Sequence, residues 1–187
     1  MAGDEARDAR RFFASTAAVP FPIEASFSGV AEVSGRAWPF VAGVNSPAPG
    51  GEIAGFYDPL GGPVLFLVND GNAIAVLRGQ AAGDFPVPDI PPVPAGPVSL
   101  ARILAGAPGY SVDAGDPGRT RGGEWVLEDG RQALFSDAFR RFLSRAEYRF
   151  RGKRVTVSYP GRESSGPPPV VAIEIDGAKI LMRRDVE

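Results

Sequence analysis

Histidine and cysteine are both absent from this 187-residue chain. Without cysteine there is no disulfide, no thiolate metal site and no thiol nucleophile. Without histidine the commonest general base, the serine–histidine triads and the usual zinc ligands are excluded. Any enzyme built on this chain would have to work with Asp, Glu, Lys, Tyr or Ser. The formal net charge is only −2, so no strong field draws the chain to nucleic acid or anionic lipid. No basic stripe with interleaved aromatics is present, which leaves a nucleic-acid role unsupported. No apolar run reaches the roughly 18 residues that a membrane-spanning helix needs. Residues 1–11 are polar and lack an apolar stretch, so they do not read as a signal peptide.

What the chain has in quantity is glycine (24) and proline (19), alongside 44% hydrophobic residues. That balance implies many turns between many short strands rather than disorder. Residues 4–18 read as a helix, with Asp4 and Glu5 in its first turn and Pro20 and Pro22 ending it. From Ile23 to Val33 the apolar positions alternate, as in a half-exposed strand. Further strands are expected over 36–45, 52–57, 64–69 and 73–78, with an Asp-Gly hairpin at 70–71. The segment from Phe85 to Pro97 holds six prolines in thirteen residues. It is read as an extended connector, 85–98, because it fits neither a central strand nor a helix interior. Ser99 caps a short helix with Leu100, Ile103 and Leu104 on one face, and Gly106 and Pro108 end it. Residues 113–123 read as loop and 124–127 as strand. Residues 133–145 fit a helix through Phe135, Phe139 and Phe142, yet alternate as a strand from about Phe142. Strands over 154–159, 170–175 and 179–183 complete the chain. The expectation is a single domain over 1–187, mainly β, in which short helices cover the concave apolar face of one strongly curved antiparallel sheet.

One turn stands out. Between two apolar strands lies Asp58-Pro59-Leu60-Gly61-Gly62-Pro63. Proline fixes φ and glycine permits positive φ, so the turn is well specified. It carries a leucine where a polar residue is usual. Leu60 is either folded back into the core or offered to something apolar outside, and turn chemistry alone leaves this open.

Three stretches resemble the outer-membrane lipoprotein receptor LolB family, within the wider LolA/LolB-like fold. The first is Asp58-Pro59-Leu60-Gly61, where that family has Asn-Pro-Leu-Gly. The second is the run from Ser99 to Gly109. The third is the C-terminal order of a strand ending at Tyr159, a proline-rich loop, and a hairpin about Gly177. The resemblance implies an unclosed β-barrel of about 10–11 strands with a helical lid. It also implies a non-enzymatic role without metal or cofactor: accepting a lipoprotein's acyl chains from a LolA-like periplasmic carrier and passing them to outer-membrane lipid. On this reading the chain acts as a monomer at the periplasmic face of the outer membrane, with residues 1–20 an N-terminal helix and tether remnant. The family's lipidated cysteine has no counterpart here, so the tether is either cut away or absent. Pro59, Leu60 and Gly61 would form the membrane-directed loop. Phe27, Val33, Phe66, Leu100, Ile103, Leu104 and Trp125 are the candidates for acyl cavity and lid. The chain departs from the family in having only Trp38 and Trp125 as tryptophans and in its proline-rich segment. Two other readings stand beside this one: a LolA-like-fold protein for another lipid or glycolipid, and an enzyme acting on a small hydrophobic metabolite in the same cavity.

Two charged clusters have plainer readings. Glu124, Glu128 and Asp129 could pair for acid–base work but fit a solvated hairpin. The basic run from Arg140 to Arg154 could meet lipid phosphates or form the solvent side of two strands.

Overall fold

The computed structural model describes residues 3–87, 93–94, 99–108, 116–121, 123–150, 152–164 and 166–185. Most of the proline-rich connector therefore lies outside the described residues. The chain runs α1 (Gly3–Ala17), β1 (Ile23–Val33), β2 (Arg36–Ala48), β3 (Gly51–Tyr57), β4 (Pro63–Asn69) and β5 (Ala73–Arg78). A short 3₁₀ turn, Gln80–Ala82, precedes the two-residue β6 (Val93–Pro94) and α2 (Leu100–Leu104). Then come β7 (Asp116–Arg121), β8 (Glu124–Glu128), β9 (Gln132–Ser136), β10 (Leu143–Phe150), β11 (Lys153–Ser158), β12 (Val170–Ile175) and β13 (Ala178–Arg184).

The described strands form one antiparallel sheet in the order β6-β5-β4-β3-β2-β1-β13-β12-β11-β10-β9-β8-β7. Among the described residues the strands at the two ends of this order, β6 and β7, do not pair with each other, so the barrel stays open. The two halves of the sheet are joined where β1 pairs with β13, Gly29 standing opposite Met182. Three strands fall outside the sequence reading. β6 lies within the connector, β7 within the stretch read as loop, and β9 within the ambiguous stretch of phenylalanines.

Alternation places the core. Along β1, Ile23, Phe27 and Ala31 are buried while Glu24, Ser28 and Glu32 are exposed. The same face continues through Phe40, Ala42 and Val44 of β2 and Ala54 of β3, and on the other side through Met182, Val171, Val157 and Ala146. A period of two puts all of these on the concave side. α2 buries Ala101, Ile103 and Leu104 in this core. α1 buries Ala9 and Phe13, and Phe12 meets the Trp125 ring edge-on at 5.5 Å.

α2 has only five residues, too few for a free helix to persist, and it is fixed at both ends by side-chain hydrogen bonds. Ser99 Oγ caps it by accepting from the Arg102 amide at 3.2 Å. Glu52 of β3, itself buried, accepts from Ser99 Oγ (2.8 Å) and from the amides of Leu100 and Ala101 (3.0 Å each). A carboxylate at a helix N-terminus meets free N–H groups and the positive end of the dipole. At the other end Tyr159 donates to the Ile103 carbonyl (3.0 Å), Arg184 to that of Leu104 (3.2 Å) and Arg162 to that of Gly106 (2.8 Å). Burial raises the Tyr159 hydroxyl well above its ordinary pKa. It also lowers the pKa of both guanidiniums.

Candidate functional site

An apolar cavity of about 370 Å³ opens at the Phe56–Tyr57 end of β3. Its wall follows from strand register. Ala31 stands opposite both Trp38 and Ile180, Phe56 opposite Leu65, and Leu67 opposite Val76, all pointing to the concave side. Gly29 matters here. A Cβ at that position would come within 2.4 Å of the Leu181 carbonyl oxygen and 2.8 Å of Phe40 Cζ, so glycine lets the β13 backbone come close and the Phe40 ring lie beside Phe56, at 5.5 Å between centroids. The far wall is Ala81, Ala82 and Phe85, which follow β5. Phe85 meets Trp38 edge-on at 5.5 Å.

The Asp58–Gly62 turn closes the remaining side, with Asp58 and Pro59 on the wall. Asp58 Oδ1 accepts from the amides of Leu60 (2.9 Å) and Gly62 (2.8 Å). The Asp58 amide donates to the Gly62 carbonyl and the Gly61 amide to that of Asp58. Gly61 has φ +87°, and a Cβ on Gly62 would sit 2.6 Å from that of Ala81. The turn therefore packs flush against the cavity's far wall. Leu60 is left at its tip, 95% exposed. Folding back into the core, one of the two readings of this leucine, does not occur.

None of the residues expected to form acyl cavity and lid lies on this wall. Phe27 is fully buried further along β1, with the Arg184 guanidinium 5.1 Å from its ring. Val33 is half-buried at the end of β1, beyond Ala31. Phe66 points to the convex side, because Leu65 and Leu67 take the inward positions of β4. It lines an open outer trough of about 730 Å³ over Gly43 and Gly55, next to Tyr57. That trough is larger than the inner cavity, but polar groups such as Glu24, Ser26 and Asn45 line much of it. Leu100, Ile103 and Leu104 belong to α2, which covers the Glu52 end of the concave face rather than the cavity end. Trp125 is held between Phe12 and Arg140.

The cavity residues missed by sequence reading are Trp38 and Phe40 of β2, Phe56 of β3, Leu65 and Leu67 of β4, Val76 of β5, and Phe85 after the 3₁₀ turn. Strand register brings those on strands together; alternation signals the facing in β2, while the wholly apolar β4 carries no such signal.

The other charged clusters show structural roles. Asp129 accepts from the amides of Arg131 and Gln132 in its hairpin. Arg140 pairs with Glu5, Arg141 with Asp137, Arg154 with Glu147 and Lys153 with Asp176. Among the described residues no group of three acidic side chains is placed to hold a metal.

The geometry defines an unclosed antiparallel barrel with helices on its concave face and an apolar cavity at one end. Among solved structures, a LolA superfamily protein from Nitrosomonas europaea shares 12% identity with this chain, with a TM-score of 0.59 over 97% of this chain and 91% of that one. That likeness shows a LolA-like fold. A DUF1329 family protein from Desulfovibrio piger also shares 12% identity, with a TM-score of 0.49 over 97% of this chain and 91% of that one. No family model matches the chain, and neither does any curated protein.

Proposed function

We propose that the protein is a carrier or receptor for acylated cargo, resembling LolB, which shelters acyl chain in its apolar cavity and passes it to a bilayer without catalysis. The observation that carries this reading is the adjacency of cavity and turn. Pro59 lines the cavity, and its neighbour Leu60 is 95% exposed at the tip of a turn held by hydrogen bonds. At that tip Leu60 contributes nothing to the core, and the carrier reading gives it a use outside the molecule. Sheltering each acyl methylene is worth about 0.8 kcal/mol, enough for a cavity of this size to bind usefully. Inserting one leucine into lipid gains only about 1.5–3 kcal/mol. That orients a protein on a membrane rather than anchoring it. The cargo in this proposal is an acylated lipoprotein delivered by a LolA-like periplasmic carrier, and the destination is outer-membrane lipid.

Native mass spectrometry with an N-acylated peptide and its unacylated counterpart tests the reading. A one-to-one complex with the acylated peptide alone supports it. Absence of that complex at micromolar peptide contradicts it.

A further inference from the structure

We infer that the cavity takes a single acyl chain whose head is uncharged and bears an N–H or O–H, and that Asp58 discriminates against chains ending in carboxylate or phosphate. The inference rests on the acyl-binding reading and specifies the ligand of that same cavity.

Size sets the chain number. At about 370 Å³, the cavity is near the lower limit of pockets that bury a small organic ligand. It has room for one chain and not for a cluster of them.

The head group follows from the wall. Asp58 is the one charged side chain on it among the described residues, and the rest of the wall is apolar. Its Oδ1 takes both turn amides, Leu60 and Gly62. Oδ2 takes neither, and so keeps its acceptor capacity where the turn meets the cavity. An amide N–H or a hydroxyl brought there gains a charge-assisted hydrogen bond. A carboxylate or phosphate meets like charge at a site of reduced dielectric. Arg36 and Arg78 stand near this end of the sheet, and neither is on the wall. Arg36 stacks on the Trp38 ring at 4.6 Å and is not on the wall. Arg78 donates to the Gly83 carbonyl at 2.6 Å.

Trp38 is on the wall and Trp125 is not, so a Trp125→Phe protein reports on the cavity through Trp38 fluorescence. This protein is titrated with three ligands of one tail length: dodecanoyl monoglyceride, N-dodecanoyl glycinamide and dodecanoate. The first two should saturate the signal at one per protein, with dodecanoate weaker by at least about tenfold. Asp58→Asn keeps an oxygen for the two turn amides and removes the charge. It should bring dodecanoate to within about threefold of the neutral ligands. Equal or tighter binding of dodecanoate by the parent protein overturns the inference. So does a preference unchanged by Asp58→Asn, or saturation at two chains or more. If all three ligands bind alike, the inference falls while the acyl-carrier reading stands. If none binds, the acyl-carrier reading falls with it.

Discussion

The backbone N–H of Leu60 donates to Oδ1 of Asp58 at 2.9 Å, and the same oxygen accepts from Gly62 at 2.8 Å. One carboxylate oxygen thus sets the shape of the turn that presents the exposed leucine. Asp58→Ala should remove both bonds while leaving the strands intact. Hydrogen bonds to charged groups are worth about 1.5–3 kcal/mol each when buried, and less at a part-exposed site. A loss of about 1–2 kcal/mol is expected here. Hydrogen exchange checks it locally: the Leu60 and Gly62 amides should lose protection, and those of β1 and β2 should keep it.

Glu52 is the partner α2 cannot lose. It accepts from Ser99 Oγ and from the amides of Leu100 and Ala101. Glu52→Ala leaves these donors without an acceptor in a buried place. The expected loss is about 2–4 kcal/mol by urea unfolding. Ser99→Ala removes the cap and one of the bonds to Glu52, and should cost about 1 kcal/mol. Equal, small losses in both variants would contradict this account of how α2 is held.

Filling the cavity should separate binding from folding. Val76 points inward opposite Leu67 and lines the cavity. Val76→Phe puts a ring into empty apolar space, so stability should change by less than about 1.5 kcal/mol. Affinity for an acylated peptide, measured by calorimetry, should fall at least about tenfold, because the lost volume is that of several methylenes.

Asp137 makes one face of the molecule acid-sensitive. Burial opposes its ionisation, but the amides of Phe142 and Arg141, the Arg141 guanidinium and the amide of Phe139 together outweigh that and hold its carboxyl below the ordinary value of 3.8. A depressed folded pKa means that the stabilisation is fully present above the unfolded value and is lost as pH falls through the folded one. Stability should therefore be level near neutrality and decline below about pH 4. In Asp137→Asn this part of the decline should be missing, at the cost of lower stability at pH 7. Urea midpoints taken across pH 2–7 check both.

Most of the sheet was legible because its strands alternate and its turns carry glycine at the required places, as in Ile23–Val33 and around Gly35, Gly71 and Gly177, all with positive φ. β9 was not, because Phe135, Phe139 and Phe142 are spaced like a helical face. Phe135 is buried in a strand, whereas Phe139 is 77% exposed on the turn that follows. Phe66 was misplaced for a different reason. The run Val64–Val68 is apolar throughout and half-buried on both sides, so alternation gives no facing, and register with Phe56 decides it. The cap from Glu52 to α2 spans 47 residues of sequence, and no local pattern announces it. The turn around Leu60 was readable as a turn, but its exposure depends on Asp58, Gly62 and Ala81 meeting in three dimensions.

In the proposed function the cavity holds acyl chain and Leu60 helps to hand it on. The most direct test is the rate at which a fluorescent N-acylated peptide moves from the protein to liposomes, compared between the parent protein and Leu60→Glu. With its side chain 95% exposed, Leu60→Glu should unfold within about 0.5 kcal/mol of the parent and bind the peptide equally well. Its transfer should be slower by about tenfold or more, from losing roughly 1.5–3 kcal/mol of contact between leucine and lipid. Transfer at the parent rate, with binding and stability unchanged, would contradict the account.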